Sequence, residues 1–190
     1  MSFDAPLPPY NASDPHASFL NSTALDLLLI EIVPLAHRLA NELSVTNEPL
    51  DDEEEREAMF YRLETLGYRV GQGLVERFSR DRTRMVDTLD VIKFICKDLW
   101  TIVFRKQIDN LKTNHRGVYV LTDNTFRPFS RMSAEAGGNA VSKAQPFLWF
   151  PCGIVRGALA NMGVNASVQA ESTELPAATF KIETIQKSAV

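Results

Sequence analysis

The chain has 190 residues, of which 45% are hydrophobic and 23% are charged, and it carries a formal net charge of −4 at pH 7. This length suffices for one domain with its own hydrophobic core, and the composition excludes an intrinsically disordered protein. No apolar run approaches the roughly 18 residues that a membrane-spanning helix requires. We therefore expect a soluble chain with a single domain at 23–187 and a flexible extension at 1–22. Because the first residues lack the basic start and apolar stretch of a secretory signal, we expect a cytoplasmic protein.

The charges are unevenly distributed along the chain. Residues 56–131 hold 15 Lys or Arg against 9 Asp or Glu, whereas the remainder holds 5 against 15. The basic run 105–116 is typical of a solvated helix end, where cations complement the negative end of the helix dipole. The acidic total, and the absence of aromatic residues among the basic ones, argue against nucleic-acid binding.

A first helix is predicted to begin at Thr23, where Thr-Ala-Leu-Asp has the form of a capping box. Pro34 lies inside the helical pattern and is expected to kink or split the helix, because proline cannot donate a backbone hydrogen bond. The residues at helical spacing that define the core face are Leu25, Leu28, Leu29, Ile32, Ala36, Leu39 and Leu43. Leu27, Ile30 and Val33 lie outside that stripe, so the helix has more apolar surface than one core needs.

A second helix is predicted to begin at the acidic run 51–55, whose charges suit the positive end of a helix dipole, and to end near Arg80. Its core stripe is Met59, Leu63, Leu66, Val70, Leu74 and Phe78. Gly67 and Gly71 lie inside this helix at four-residue spacing, near Gly73. Because each interior glycine costs about 1 kcal/mol relative to alanine, the pair predicts a groove where another backbone approaches closely. The alternative is that the glycines mark a helix break.

A third helix, capped by Asp87, is apolar around most of its circumference over residues 91–104, and we expect it to be the central helix. A loop should follow at 105–116. The β-rich run 118–121, a turn and a second strand at 126–129 then predict a hairpin, in which Pro128 either places the second strand at an edge of the sheet or ends it.

The remaining elements complete an α/β chain of the α+β type. Residues 130–145 are predicted to be a loop insertion. Pro146 then begins a fourth helix, which contains Gly153 and Gly157 at four-residue spacing and ends at Gly163. Alternating apolar residues predict two half-buried strands at 164–170 and 178–182. The order ααα ββ α ββ, with short connections, predicts four main helices packed on one side of a four-stranded antiparallel sheet.

The sequence contains no clear arrangement of chemically active residues. Cys96 and Cys152 lie in apolar helical patterns and are expected to be buried, reduced thiols. Pairing of Cys96 with His115 as a nucleophile is conceivable, but burial would make the thiol unreactive. No phosphate-binding loop is found, and no histidine has a second ligand at metal-binding spacing. We therefore expect no catalytic residue, no cofactor and no metal, and a protein that is not an enzyme.

Four segments carry a resemblance to a known family. They are GYRVGQGL at 67–74, LDVIKFICKDLW at 89–100, KQIDNLKTNHRGVYVLTDN at 106–124 and CGIVRGAL at 152–159. They resemble the Bet-three-related small subunits of the TRAPP vesicle-tethering complex, and within that family the branch called subunit six in animals and thirty-three in yeast. The resemblance spans about residues 25–185, and the long central run is its most specific part.

The resemblance implies helices packed on an antiparallel sheet, heterodimerisation with the Bet-three subunit, contact with further TRAPP subunits, and membership of a complex that exchanges nucleotide on a Rab GTPase. It implies cytoplasmic location, with association to Golgi and ER-to-Golgi membranes only through the complex. It also implies that this branch is an architectural neighbour and not the catalytic surface that contacts the GTPase. Where the Bet-three subunit presents an acylated cysteine, this chain has Arg82, so lipid attachment is not implied.

The apolar surface left over on the first two helices predicts the heterodimer interface, because the centres of protein interfaces favour apolar and aromatic residues. The residues that we assign to it are Leu27, Ile30, Val33, Tyr61, Gly67 and Gly71. The alternative function is a module that binds a small molecule or an acyl chain between helices and sheet.

Overall fold

The computed structural model of the chain describes residues 20–42, 51–80, 82–114, 116–132 and 139–185. Its α-helices are α1 (Ser22–Glu42), α2 (Asp52–Ser79), α3 (Thr88–Phe94), α4 (Trp100–Phe104), α5 (Ala140–Ala144) and α6 (Trp149–Asn161). Its strands are β1 (Asn110–Thr113), β2 (Val118–Asp123), β3 (Ala166–Glu171) and β4 (Ala178–Thr184). A π-helical turn at Ile95–Leu99 joins α3 to α4, and a 3-10 turn at Gln145–Leu148 joins α5 to α6. The predicted fold, main helices against a four-stranded antiparallel sheet, is confirmed.

The start of α1 differs from the prediction. The helix begins at Ser22, and the side chain of Asn21 accepts a hydrogen bond from the Thr23 N–H at 2.9 Å. Asparagine is as good an N-terminal cap as threonine, and the carboxylate of Asp26 is bound by Arg127 instead of closing a capping box. The helix runs through Pro34, so a split at that residue is also wrong, whereas the expected kink stays a prediction. At the start of α2, by contrast, Asp51 caps the Glu54 N–H at 2.7 Å.

The sheet has the strand order β1-β2-β4-β3, and all its neighbours are antiparallel. The predicted hairpin is correct in its first strand but wrong in its partner. β2 pairs with β1, which lies inside the predicted loop 105–116, whereas Arg127–Phe129 forms a 3-10 turn. The turn forms because Pro128 cannot donate to a strand ladder and because the rings of Phe126 and Phe129 are buried in the core.

The main core lies between the inner face of the sheet, the continuous helix α3–α4 and α6. Trp100 is at its centre, with its ring centroid 5.1 Å from that of Phe180 and 4.6 Å from that of Phe104. On β4, Phe180 and Ile182 are buried while Lys181 between them is exposed, so one face of the sheet carries the helices. The third predicted helix is therefore central to the packing.

At the crossing of α2 and α6 the two helix backbones lie in close contact. A Cβ atom added at Gly67 or Gly71 would lie 2.1 Å from a backbone oxygen of α6. A Cβ atom added at Gly153 or Gly157 would lie 2.1 or 2.0 Å from a backbone oxygen of α2. Because real side chains never approach backbone so closely, only glycine permits this crossing. The sequence correctly predicted a close backbone at Gly67 and Gly71, but that backbone belongs to this chain.

Two predicted segments are described only in part. The predicted loop 130–145 contains the short helix α5, and residues 133–138 lie outside the described ranges, as do residues 1–19 of the predicted extension. Gly163 follows the end of α6 with φ of +80°, as the prediction of a glycine stop requires. Within the described ranges, no helix has the length and apolar character needed to cross a membrane.

Candidate protein interface

The six residues predicted to form an interface divide into two sets. Leu27 and Tyr61 are 60% and 69% exposed, and Ile30 is 40% exposed. Val33 is only 8% exposed, because it packs with Met59 and other residues of this chain in a second, smaller core cluster. Gly67 and Gly71 are covered by α6, as described above. Three of the six residues therefore reach the surface, and we exclude the other three from the candidate interface.

An apolar groove runs between α1 and α2, with a volume of about 440 Å³. On the α1 side it is lined by Ile32, Leu35, Ala36 and Leu39. On the α2 side it is lined by Ala58, Tyr61, Arg62, Leu63, Thr65, Leu66 and Arg69. Buried Ala36 and Leu63 form the floor, and the other residues remain partly or largely exposed. We call this feature the α1–α2 groove.

The buried face of α1 differs from the predicted core stripe. The side of α1 that packs inward is Val33, Ala36 and Ala40. Leu28, which was predicted to be in the core, is 60% exposed, and Leu35 is exposed beside the groove. The reason is that α1 has two apolar faces of similar strength, and helical spacing alone does not distinguish the face that packs on its own chain.

The buried face of α2 also differs from the predicted core stripe. The buried positions of α2 include Met59, Leu63, Gly67, Gly71 and Val75, each four residues from the next. The glycine contact with α6 sets this spacing. Leu66 and Val70, which were predicted to be in the core, are exposed as a result.

Among the described residues, the charged side chains that line the α1–α2 groove are Arg62 and Arg69. Within the described ranges, neither of them makes an ion pair. The Nε atom of Arg62 is buried and has no hydrogen-bond acceptor among the described residues. An acceptor on a partner protein would satisfy this donor and would thereby stabilise the complex.

Ile30 lines a different feature, a small depression on the other flank of α1 that is also lined by Phe104 and Phe147. Beside it, Asp26 accepts hydrogen bonds from Arg127 Nε at 3.1 Å and from Arg131 Nε at 3.3 Å. The hydrogen bond from Arg127 lowers the pKa of the Asp26 carboxyl below its ordinary value. This cluster attaches α1 to the turn after β2. Ile30 therefore lies outside the α1–α2 groove.

The two cysteines are free and buried. Burial raises the pKa of Cys96 and that of Cys152 to about 12, so both thiols are protonated at neutral pH and are poor nucleophiles. His115, the conceivable partner of Cys96, lies outside the described residues. Arg82, at the position where lipid attachment was considered, donates a hydrogen bond to Asp98.

Sequence reasoning missed one buried polar network. Asp123 is fully buried and accepts hydrogen bonds from Trp100 Nε1 at 2.8 Å and from Lys106 Nζ at 2.7 Å. Lys106 also reaches Asp109 at 2.7 Å. The network fixes the segment between α4 and β1 onto the end of β2, and it accounts for the charged residues at both ends of the specific run 106–124. Its role is structural.

Comparison with known proteins identifies the class to which this fold and surface belong. The family model described as "Transport protein particle (TRAPP) component" matches residues 25–185. The chain is also similar to a solved structure of a trafficking protein particle complex subunit 3 from Naegleria fowleri, described as covalently bound to palmitic acid. That likeness has a TM-score of 0.65 at 14% identity and covers 87% of this chain and 98% of the other, so it concerns the fold. The chain belongs to the TRAPP component family.

The similar sequences specify the branch. The chain is 56% identical over 121 residues to trafficking protein particle complex subunit 6b of Danio rerio, which covers 64% of this chain and 76% of that protein. It is 53% identical over 121 residues to subunit 6B of Homo sapiens, covering 64% of this chain and 75% of that protein. The chain is thus a TRAPP small subunit, and the predicted resemblance to the subunit-six branch is confirmed.

Proposed function

We propose that this chain is a non-catalytic architectural subunit of a TRAPP-type complex, which tethers vesicles and promotes nucleotide exchange on a Rab GTPase in ER-to-Golgi and Golgi transport. The chain acts by heterodimerising with the Bet-three-type subunit. It meets the GTPase indirectly, and it reaches the membrane only as part of the complex. Family membership supports the first statement, and the surface of α1 and α2 supports the mode of assembly.

The observation that carries this proposal is the concentration of exposed apolar side chains on two helices. Of the 12 large hydrophobic side chains that are exposed in the described part of the chain, eight lie on α1 and α2. They are Leu27, Leu28, Ile30, Leu35, Phe60, Tyr61, Leu66 and Val70. Exposed apolar surface is where partners bind, and Leu35, Tyr61 and Leu66 of this set line the α1–α2 groove. A partner that covers the groove gains about 25 cal/mol for each Å² of apolar surface removed from water.

The non-catalytic part of the proposal rests on the thiols. They are the strongest potential nucleophiles in the described part of the chain, and their burial keeps both protonated at neutral pH. The surface that is left for function is the apolar one. An architectural role uses that surface directly.

The test is co-purification with the Bet-three-type subunit of the same organism. A double variant, Leu35→Asp with Tyr61→Asp, puts two carboxylates on the walls of the α1–α2 groove, and we expect it to weaken binding by at least about 100-fold. Both side chains are exposed in the isolated chain, so the fold should persist, which circular dichroism would check.

The matched control is Val86→Asp with Ile185→Asp. These two apolar residues are also exposed but lie outside α1 and α2, and this variant should bind normally. Normal binding by the groove variant, or equal loss in both variants, would refute the proposed interface.

A second candidate function is binding of a small molecule or an acyl chain. The volume of the α1–α2 groove, about 440 Å³, lies within the range of ligand pockets. The related subunit 3 is described as carrying covalently bound palmitic acid. Native mass spectrometry of the purified chain distinguishes the two functions, since a retained apolar ligand favours this second one.

A further inference from the structure

The α1–α2 groove has a distribution of charge that an apolar contact alone does not explain. Arg62 and Arg69 are seven residues apart on α2, which places them on one side of the helix about two turns, or about 10 Å, apart. No carboxylate in the part of the chain that the structure describes lines the groove. The groove therefore presents two cations spaced along an apolar channel.

Three carboxylates of α1 and α2 are already bound elsewhere. Glu64 pairs with Arg156 across the α2–α6 crossing, and Glu55 pairs with His37 at 2.9 Å. On α1, Glu31 pairs with Arg38 at 2.9 Å. Arg62 and Arg69 have no such partner within the described ranges, and the buried Nε atom of Arg62 lacks any acceptor there.

Covering the groove would bury these two guanidinium groups further. Burying a charge without an opposite charge is unfavourable, and a partner without carboxylates would lose affinity for that reason. A partner that supplies carboxylates at the right spacing converts the same groups into charge-assisted hydrogen bonds. Arginine is enriched at the centres of interfaces for this purpose.

Resting on the proposed function, we propose that the α1–α2 groove binds an amphipathic helix of the partner subunit that carries two acidic residues about two turns apart. One carboxylate pairs with Arg62 and the other with Arg69. Apolar side chains between them enter the groove against Leu35, Leu39 and Tyr61. A helix fits because its residues i and i+7 lie on one face, about 10 Å apart. Arg62 and Arg69 are also seven residues apart on a helix, so the two spacings match.

The same charges disfavour one arrangement of two copies of this chain. A symmetric dimer brings the same surface of both copies together. No carboxylate among the described residues lines the groove, so two grooves placed face to face would set four arginines against one another. A helix that carries carboxylates complements the groove instead.

The experiment measures the dissociation constant between the full chain and the purified Bet-three-type subunit of the same organism, at several NaCl concentrations. We expect Arg62→Glu with Arg69→Glu to weaken binding by at least about 100-fold, because it sets like charges against the partner. We expect Arg62→Gln with Arg69→Gln to weaken it by about 10-fold and to reduce its salt dependence.

The matched control for charge is Arg80→Gln with Arg84→Gln. These arginines are exposed and lie outside the groove, so their loss changes the net charge equally. The control should bind within about twofold of the unaltered chain. Equal weakening in the control, or normal binding by the charge-reversed variant, would overturn the inference.

The outcomes also separate this inference from the proposed function. If Leu35→Asp with Tyr61→Asp abolishes binding while both arginine variants bind normally, the groove is the interface but the acidic partner helix is wrong. If the unaltered chain does not bind the Bet-three-type subunit at all, the proposed function and this inference both fail. A further test replaces acidic residues of the partner with lysine and measures binding to the Arg62→Glu, Arg69→Glu variant. Restored binding would support the inference directly.

Discussion

Glu64 of α2 and Arg156 of α6 form a bidentate ion pair across the helix crossing, with Arg156 Nη2 2.7 Å from Glu64 Oε2. The guanidinium carbon of Arg156 also lies 4.3 Å from the centroid of the Tyr68 ring. Glu64 is buried, whereas Arg156 is partly exposed. The pair therefore connects the two glycine-packed helices at the edge of their contact.

Removing this pair should destabilise the chain. We expect Glu64→Ala to lower the free energy of unfolding by about 1–3 kcal/mol, less than for a fully buried pair because Arg156 can be rehydrated. Equilibrium unfolding in urea measures the change. The control is Glu31→Ala, which removes an exposed pair with Arg38 and should cost no more than about 0.5 kcal/mol. Equal costs in the two variants would contradict the prediction.

The glycines of α2 allow a comparison within one helix. Gly71→Ala places a Cβ atom 2.1 Å from the Ile154 backbone oxygen, so the helices must separate, and we expect a loss of about 2 kcal/mol or more. Gly73 has no atom within 4 Å of the corresponding position, so Gly73→Ala should stabilise the chain by up to about 1 kcal/mol through helix propensity. Thermal and urea unfolding of both variants check the opposite signs. A stabilising Gly71→Ala would show that the crossing is looser than described.

Asp26 should contribute to the acid sensitivity of the chain. The hydrogen bond from Arg127 holds its pKa below the ordinary value of 3.8. Because the folded pKa is the lower one, the ionised carboxylate contributes stability above about pH 4, and this contribution is lost as the pH falls through the folded pKa. We expect Asp26→Asn to be less stable than the unaltered chain at about pH 6 and the difference to shrink below about pH 4.

Urea unfolding from about pH 6 to about pH 3 tests this prediction, with Glu171→Gln on the exposed side of β3 as the control. The stability difference for Asp26→Asn should depend on pH more steeply than that for the control. A difference that stays constant over this range would show that the Arg127 contact does not favour the ionised form.

Some features of the fold depend on nearby residues and were predictable from the sequence, whereas others depend on residues far away in the chain. The glycine pairs and the stop at Gly163 were predictable, because they follow from backbone sterics within a few residues. The turn at Arg127–Phe129 was not, since Phe129 packs on Phe126, and the ring of Phe126 is held by Phe104 and Phe180, which are far away in the sequence. The hydrogen bonds that Asp123 accepts from Lys106 and Trp100 join residues 17 and 23 positions apart, so no local spacing indicates them.

The candidate interface was predictable in kind but not in position. Helical spacing showed that α1 and α2 have surplus apolar surface, and Tyr61 does line the groove. It could not show that Leu28 faces outward while Val33 packs inward, because two apolar faces of one helix look equivalent until the rest of the chain covers one of them. Arg62 and Arg69 lie on the groove wall for the same reason, because the packing of the rest of the chain decides which face of α2 is buried.

The two thiols should be nearly unreactive in the folded chain. Burial raises the pKa of Cys96 and of Cys152 to about 12, and only a thiolate attacks a disulfide reagent. We expect reaction with an aromatic disulfide at about pH 8 to be at least about 100-fold slower in the folded chain than in guanidinium, where both thiols should react. Ser130→Cys is the control, because residue 130 is exposed and its thiol should react at once. A native Cys96 that reacted as fast as this control would be an accessible nucleophile, and the non-catalytic role proposed for the chain would then have to be abandoned.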